Sequence, residues 1–400
     1  MRFYVLDGWR GVCACLVALF HLKVISHIYG GHFDDSSYGG GFSLGTFIHN
    51  SWLFVDFFFV LSGFIITHSL GGRLEGAAAL VSFAIRRFGR LWPTHLVMVA
   101  AILAYRLLMA PAGWQALAVG SNDYPPDIIA MSAAKILVLI HALPGGDTLW
   151  ADDFFDINPP SWSISVELWI YLGFGLLLMA RWGRPLVIGA VAALGAVILY
   201  WWVGQIGATF GFGVVRGVFG FFTGALVYRL YQLAARRQRP WPALVWAEVP
   251  AAAGVAVFVT MVGPNEWTLL GPVVFGLAVW VFAFEAGPVS RLMLTRPVRK
   301  LGDLSYTVYM THSLVALMLA DALVPVQRWL GVDYSFPAVL YGETVVIRSF
   351  ANDFAADAMA LLYLGLVVAV AAAMSRWVEV PCRDWFSALA RRGAPAVIRA

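Results

Sequence analysis

A chain of 400 residues that is 60% hydrophobic and 12% charged lacks the polar surface of a soluble domain, where about a quarter of residues carry charge. The net charge of +4 does not point to nucleic acid, because the basic residues sit in short linkers between apolar runs, as in positive-inside loops. Three cysteines, two of them in the first apolar run, give no disulfide framework.

Apolar stretches of about 18–20 residues suffice to cross a bilayer. Ten occur, at 7–27, 51–71, 91–110, 162–180, 185–203, 210–229, 243–262, 267–285, 304–324 and 355–375. The fold class is therefore an all-α polytopic membrane protein with about ten transmembrane helices. A shorter stretch, 128–143, lies between Pro125-Pro126 and Pro144-Gly145-Gly146 and reads as a short span or a re-entrant segment. The basic linkers alternate with linkers rich in Asp, Gly, Pro and Tyr, at 28–50, 111–161 and 325–354. Ten spans with both termini cytoplasmic put every basic linker inside, provided that 128–143 does not cross. Nothing after the first run looks like a signal-peptidase site, so that run is expected to stay as a membrane anchor.

The first span carries Arg10 and His21. Eleven residues make about three turns, so the two lie on nearly the same face, about 16 Å apart. Ionisable groups at such depth cost about 3 kcal/mol each on insertion scales, which is usually met inside a polar cavity. Asp7 precedes Arg10 by one turn and is a simple pairing partner for it. The second span holds Asp56, which reads as a pairing group or a ligand-binding carboxylate. Before the third span, Arg86-Arg87-Phe88-Gly89-Arg90 offers either a topology signal or a cradle for phosphates, since guanidinium groups engage phosphate bidentately. Glu167 enters the fourth span at about the depth of His21, where a carboxylate could fix an imidazole tautomer. Tyr309 and His312 lie in the ninth span, and Arg216, Asp321 and Arg348 are further polar candidates. No Gly-rich phosphate loop, zinc-spaced Cys/His cluster or G-x-S-x-G elbow occurs, and no metal site is expected.

Six blocks of this chain, in order, resemble the acyltransferase-3 family of integral-membrane O-acyltransferases. They are Leu6-Asp7-Gly8-Trp9-Arg10-Gly11 with His21, Phe57-Phe58-Phe59-Val60-Leu61-Ser62-Gly63-Phe64, Arg87-Phe88-Gly89-Arg90, Ser161-Trp162-Ser163-Ile164-Ser165-Val166-Glu167, Ser305-Tyr306-Thr307-Val308-Tyr309-Met310-Thr311-His312, and Glu379-Val380-Pro381-Cys382-Arg383. Trp9 and Met310-Thr311 depart from the family pattern at positions given no chemical role.

The resemblance implies a multi-pass enzyme of the inner (plasma) membrane, its acyltransferase domain covering 1–383 with a short cytoplasmic tail at 384–400. It implies transfer of an acyl group, acetyl or succinyl, from cytoplasmic acyl-CoA to a hydroxyl of an extracytoplasmic glycan or other envelope molecule. Acyl-CoA would be a donor co-substrate, with no bound cofactor. His21 would be the general base and Glu167 its orienting partner or an acceptor ligand. Arg10, Arg86, Arg87 and Arg90 would hold the donor, and Asp56, Tyr309 and His312 would line the substrate cavity. Some relatives carry a fused extracytoplasmic domain, and for this chain any such partner is expected to be separate. Aromatic and acidic side chains of the outer loops, Tyr29, Asp34, Asp35, Tyr38, Asp333, Tyr334 and Tyr341, would suit a sugar. The competing reading of the same polar residues is an ion-coupled transporter or flippase.

Overall fold

The computed structural model describes residues 2–28, 31–32, 43–71, 74, 76–109, 126–143, 157–209, 211–236, 242–332, 334–340 and 343–392. Among these, nine helical runs are long and apolar enough to cross a membrane. In chain order the elements are α1 (Tyr4–Ser26), α2 (Leu44–His49), α3 (Phe54–Ser69), α4 (Gly76–Met109), α5 (Pro126–Leu137), α6 (Trp162–Met179), α7 (Pro185–Trp202), α8 (Gly213–Ala235), α9 (Pro242–Met261), α10 (Gly271–Phe282), α11 (Pro288–Met293), α12 (Arg296–Trp329), β1 (Ser335–Leu340), β2 (Glu343–Arg348), α13 (Asp353–Met374) and α14 (Val380–Arg392). The apolar run expected at 267–285 is a shorter helical run, Glu266–Phe282. The chain is thus a polytopic helical membrane protein.

At 12 residues, α5 is about 18 Å long, well short of the roughly 30 Å hydrocarbon core. Its last carbonyls are orphaned as at any helix end. The neighbouring spans supply donors: Trp92 Nε1 to Leu137 O at 2.8 Å, His95 Nε2 to Ile136 O at 2.8 Å, and Trp169 Nε1 and Ser165 Oγ to Leu139 O at 2.8 and 2.7 Å. The Leu139 carbonyl beyond the helix end is thereby satisfied by protein donors, the condition under which a membrane protein tolerates irregular backbone.

A two-stranded antiparallel hairpin, β1 with β2, runs in register from Ser335 opposite Arg348 to Leu340 opposite Glu343, within a stretch expected only as an outer loop. Buried Arg348 donates to Ser26 O and Ala320 O, each at 3.0 Å, so one guanidinium caps the end of α1 and joins it to α12. Burial, then the nearby Arg348 charge, pulls the His27 imidazole below its ordinary value. At the same end His32 bonds Asp357 at 2.8 Å, and that carboxylate raises its pKa.

Small residues let the helices approach closely. A Cβ on Gly11 of α1 would meet Gly302 N of α12 at 2.5 Å, and one on Gly302 would meet Asp7 O at 2.4 Å. Gly63 of α3 and Gly224 of α8 are tighter still: added Cβ atoms would lie 1.8 Å from Phe221 O and Val60 O. In membranes, where apolar burial between helices is weak, such backbone approach is a main source of association. Gly63→Ala and Gly224→Ala are therefore expected to lower the melting temperature of the detergent-solubilised protein. Gly173→Ala, whose Cβ would meet nothing within 4 Å, should leave it unchanged or raise it. Equal melting for all three would show that these crossings do not hold the bundle together.

Basic residues gather at one end. Arg2 bridges Asp7 at 2.6 Å and Asp303 at 2.5 Å, and Arg299 lies 4.5 Å over the Tyr4 ring. A π-helical turn, Ser375–Glu379, continues α13 into α14. Residue 383, the domain boundary expected from sequence, falls inside α14, which runs on to Arg392.

Candidate functional site

The α1–α12 crossing brings two histidines together. His312 is fully buried on α12, and His21 is half-buried on α1. His312 Nδ1 lies 3.3 Å from Val308 O, so it carries the hydrogen and leaves Nε2 as an acceptor. That Nε2 is 3.0 Å from His21 Nδ1, which is also 3.1 Å from Val17 O. Both neighbours of His21 Nδ1 accept, so the network assigns its hydrogen there. His21 Nε2 then holds the free lone pair. The rings are tilted by 33° with centroids 4.9 Å apart. Tyr363 of α13 places its hydroxyl 3.1 Å from Ala18 O and 3.2 Å from His312 O, beside both histidines.

A narrow cavity of about 50 Å³ opens among Arg10, Ser62, Ser163, Glu167, Tyr306 and Tyr309; of the residues expected to line a substrate cavity Tyr309 does so, whereas His312 is turned to His21 and is not in the wall. The Tyr309 ring sits 5.7 Å from that of His312, and its hydroxyl lies 2.8 Å from Ser163 Oγ and 3.0 Å from Pro160 O. Asn158 braces the same stretch of α12, donating to Met310 O at 3.3 Å and accepting from Ser313 at 2.6 Å.

Glu167 accepts hydrogen bonds from Ser62 and Tyr171. Among the described residues its bonds go to these two hydroxyls and none goes to His21. Depth along the span suggested a His21–Glu167 pair. The helix packing instead turns His312 toward His21 and Glu167 toward the arginines. Arg10, Arg87 and Arg90 form one electrostatic group with Glu167. Arg87 lies over the Phe83 and Tyr171 rings at 5.3 and 5.5 Å, and its buried Nε has no hydrogen-bond partner among the described residues. Arg10 also pairs with Asp7 at 3.8 Å, so three guanidinium groups against two carboxylates leave the group net positive, with an unused donor on Arg87, which suits an anion.

Arg86 diverges from this group. Its guanidinium bonds Ser82 Oγ at 2.6 Å and faces α14. Asp56 is committed elsewhere too. Its carboxylate receives Arg216 Nε and Nη2 at 2.8 and 2.7 Å, both side chains are buried, and Trp52 and Trp162 flank the guanidinium at 5.4 and 5.3 Å. That geometry makes Asp56 a buried pairing group rather than a wall of the cavity. Asp321 accepts from Tyr105 at 2.7 Å. Of the outer-loop residues proposed for a sugar, Tyr29, Asp34, Asp35, Tyr38, Asp333 and Tyr341 lie outside the described residues. Among the described residues, no three His, Cys, Asp or Glu side chains gather as a metal-ligand set.

Sequence reasoning passed over Ser62, Tyr171, Tyr363 and Asn158. Tyr171 had a usable signal, the i,i+4 spacing from Glu167. Tyr363 had none, because its role depends on which helices adjoin α13.

Comparison with known proteins agrees with this architecture. The family model described as an acyltransferase domain matches residues 3–376. "Protein 2 in picA locus" of Rhizobium radiobacter is 30% identical over 203 residues, covering 50% of this chain and 93% of that protein. "Nodulation protein 10" of Rhizobium leguminosarum bv. viciae is 28% identical over 171 residues, covering 39% of this chain and 44% of that protein. No solved structure matches. With nearly the whole chain inside one family match, on a bundle whose polar residues converge where the motifs lie, the protein belongs to the acyltransferase-3 family of membrane acyltransferases.

Proposed function

We propose that this acyltransferase moves a short acyl group from cytoplasmic acyl-CoA to a hydroxyl of an extracytoplasmic glycan or another envelope molecule, in the inner membrane, with His21 as general base. The observation that carries the reading is the His21 Nδ1–His312 Nε2 contact of 3.0 Å, which leaves the His21 Nε2 lone pair unused on the helix that also carries Arg10. Arg10 and His21 share a helix, about 16 Å apart, a span that an extended pantetheine arm bridges.

In this mechanism Arg10, Arg87 and Arg90 bind the donor's diphosphate, and the buried Arg87 Nε gains an acceptor there. Glu167 offsets the mutual repulsion of the arginines before the donor arrives. The acceptor hydroxyl gives its proton to His21 Nε2 while its oxygen attacks the thioester carbon. The resulting imidazolium is steadied by its Nδ1–H bond to the neutral Nε2 of His312. Collapse of the tetrahedral intermediate breaks the C–S bond, and the thiolate takes the proton back from His21. A positioned base of this kind typically contributes about 10²–10⁴-fold in rate.

Arg216 is neutralised by Asp56, and Arg348 is spent on backbone carbonyls, so neither is an open cation for a succinyl carboxylate. The test is mass spectrometry of envelope glycans from cells lacking the gene, with and without the gene restored. A base-labile mass appearing only on restoration is expected, and its size names the acyl group. Indistinguishable profiles from both strains would overturn the reading.

A further inference from the structure

Helix α5 ends in a turn that its own backbone closes. Ile140 N–H donates to Lys135 O and Leu139 N–H to Ile136 O, each at 3.0 Å, the paired bonds of a Schellman cap. The left-handed position of such a cap is ordinarily glycine. Here it is Leu139, at φ +57° with its side chain fully buried. A Cβ in that conformation crowds the following carbonyl, so the turn is strained by its own residue and is held from outside α5. The Leu139 carbonyl takes both Ser165 Oγ and Trp169 Nε1 of α6, at 2.7 and 2.8 Å, and Ser165 Oγ in turn accepts Ala142 N–H at 3.4 Å. From α4, Trp92 Nε1 donates to Leu137 O at 2.8 Å. These ties reach the backs of two helices whose fronts form the candidate site. At about 100° per residue, Ser165 and Trp169 lie about 40° apart on α6, and Glu167 and Tyr171 form a second pair about 160° round from the first. Glu167 lines the cavity, and Tyr171 bonds it while its ring lies 5.5 Å from the Arg87 guanidinium. On α4, Trp92 lies about 140° round from Arg87. A helix gripped on one face cannot turn without carrying the opposite face with it.

From this arrangement we infer that the capped end of α5 is a positioning wedge. Through Ser165, Trp169 and Trp92 it fixes the rotation of α6 and α4 about their axes, so that Glu167, Tyr171 and Arg87 meet at one cavity. Ser165, Trp169 and Trp92 act through those groups and are positioning residues. The inference rests on the reading of that cavity as the donor site. It assigns affinity for the thioester donor to the turn, and leaves proton transfer at His21 to the crossing of α1 with α12.

The full-length protein in lipid nanodiscs would be titrated with acetyl-CoA by calorimetry, which reads the dissociation constant and the number of sites per protein separately. Ser165→Ala combined with Trp169→Phe takes both of these donors from the Leu139 carbonyl. The double variant is expected to bind acetyl-CoA about tenfold more weakly at an unchanged site number, within the range of two neutral hydrogen bonds. Each single variant, and Trp92→Phe on the other helix, should move the constant the same way by a smaller factor, which keeps the test decisive if the double variant does not fold. Ser165→Thr retains the hydroxyl and should stay near wild type. A merely structural role gives a different result, fewer sites at an unchanged constant, because the molecules that remain folded bind normally. That result would overturn the inference, as would an unchanged constant in every variant. Absence of binding by wild type would instead strike the acyl-CoA reading, and the positioning role with it.

Discussion

Replacing His21 with alanine is expected to reduce ester formation by about 10²–10⁴-fold at unchanged membrane abundance, the range for loss of a positioned base. The measurement is the base-labile glycan mass described above, normalised to the protein in the membrane. A large effect is expected because the neighbouring imidazole cannot stand in for the lone pair on His21 Nε2. His312 Nδ1 faces Val308 O, and its Nε2 already accepts from His21. His312→Ala should cost less, about five- to tenfold, the worth of one hydrogen bond, because Val17 O still holds the Nδ1 hydrogen of His21. Ester content in His21→Ala equal to wild type would remove His21 from the chemistry. A loss in His312→Ala as large as in His21→Ala would mean that the two imidazoles act as one unit.

The second large effect concerns folding. Asp56→Ala strands the Arg216 guanidinium in a site where it is 2% exposed. Removing one partner of a buried pair destabilises by about 3–5 kcal/mol, because the other charge stays buried and uncompensated. Unfolding of the detergent-solubilised protein should show this as a large fall in melting temperature and yield. Asp56→Ala combined with Arg216→Met should recover most of it, because a pair removed together leaves no bare charge. The double variant also decides the role of Asp56. If Asp56 only holds α3 to α8, the recovered protein still forms ester. If Asp56 touches the acceptor, the recovered protein is stable and inactive.

Both cases mark what can be read from a linear sequence. Apolar length gave the spans, because about 30 Å of hydrocarbon demands a run of apolar residues and little else. The run 267–285 also held its place, although it is a short helix entered through a 3₁₀ turn. Polar side chains inside the spans were legible as costly, and so as members of cavities or pairs. Their partners were not legible. Depth depends on rise along one helix, whereas pairing depends on how two helices are rotated about their axes. Hence Asp56 meets Arg216 across 160 residues and His21 meets His312 across 291, while Glu167, at the depth read for His21, turns to Ser62 and Tyr171. Glu248 shows the same gap. It is a fully buried carboxylate within the span read at 243–262, and it accepts from the N–H groups of Gly287 and Ser290 at 2.7 and 2.8 Å at the start of α11. The hairpin escaped because its strands are short and β1 contains Pro337, a residue that weakens a strand reading.

The glycine contact between α1 and α12 lies ten residues from His21, a lever arm of about 15 Å. Scissoring of the two helices about Gly11 and Gly302 by as little as about 4° would move the imidazoles by about 1 Å at that radius. A hydrogen bond at 3.0 Å does not survive such a change. The Tyr363 hydroxyl, reaching a carbonyl on each arm close to the histidines, acts as the rivet that limits this opening. Mechanical coupling of this kind makes the basicity of His21 a property of three helices, so a change in bilayer thickness that tilts one of them is felt at the reacting nitrogen.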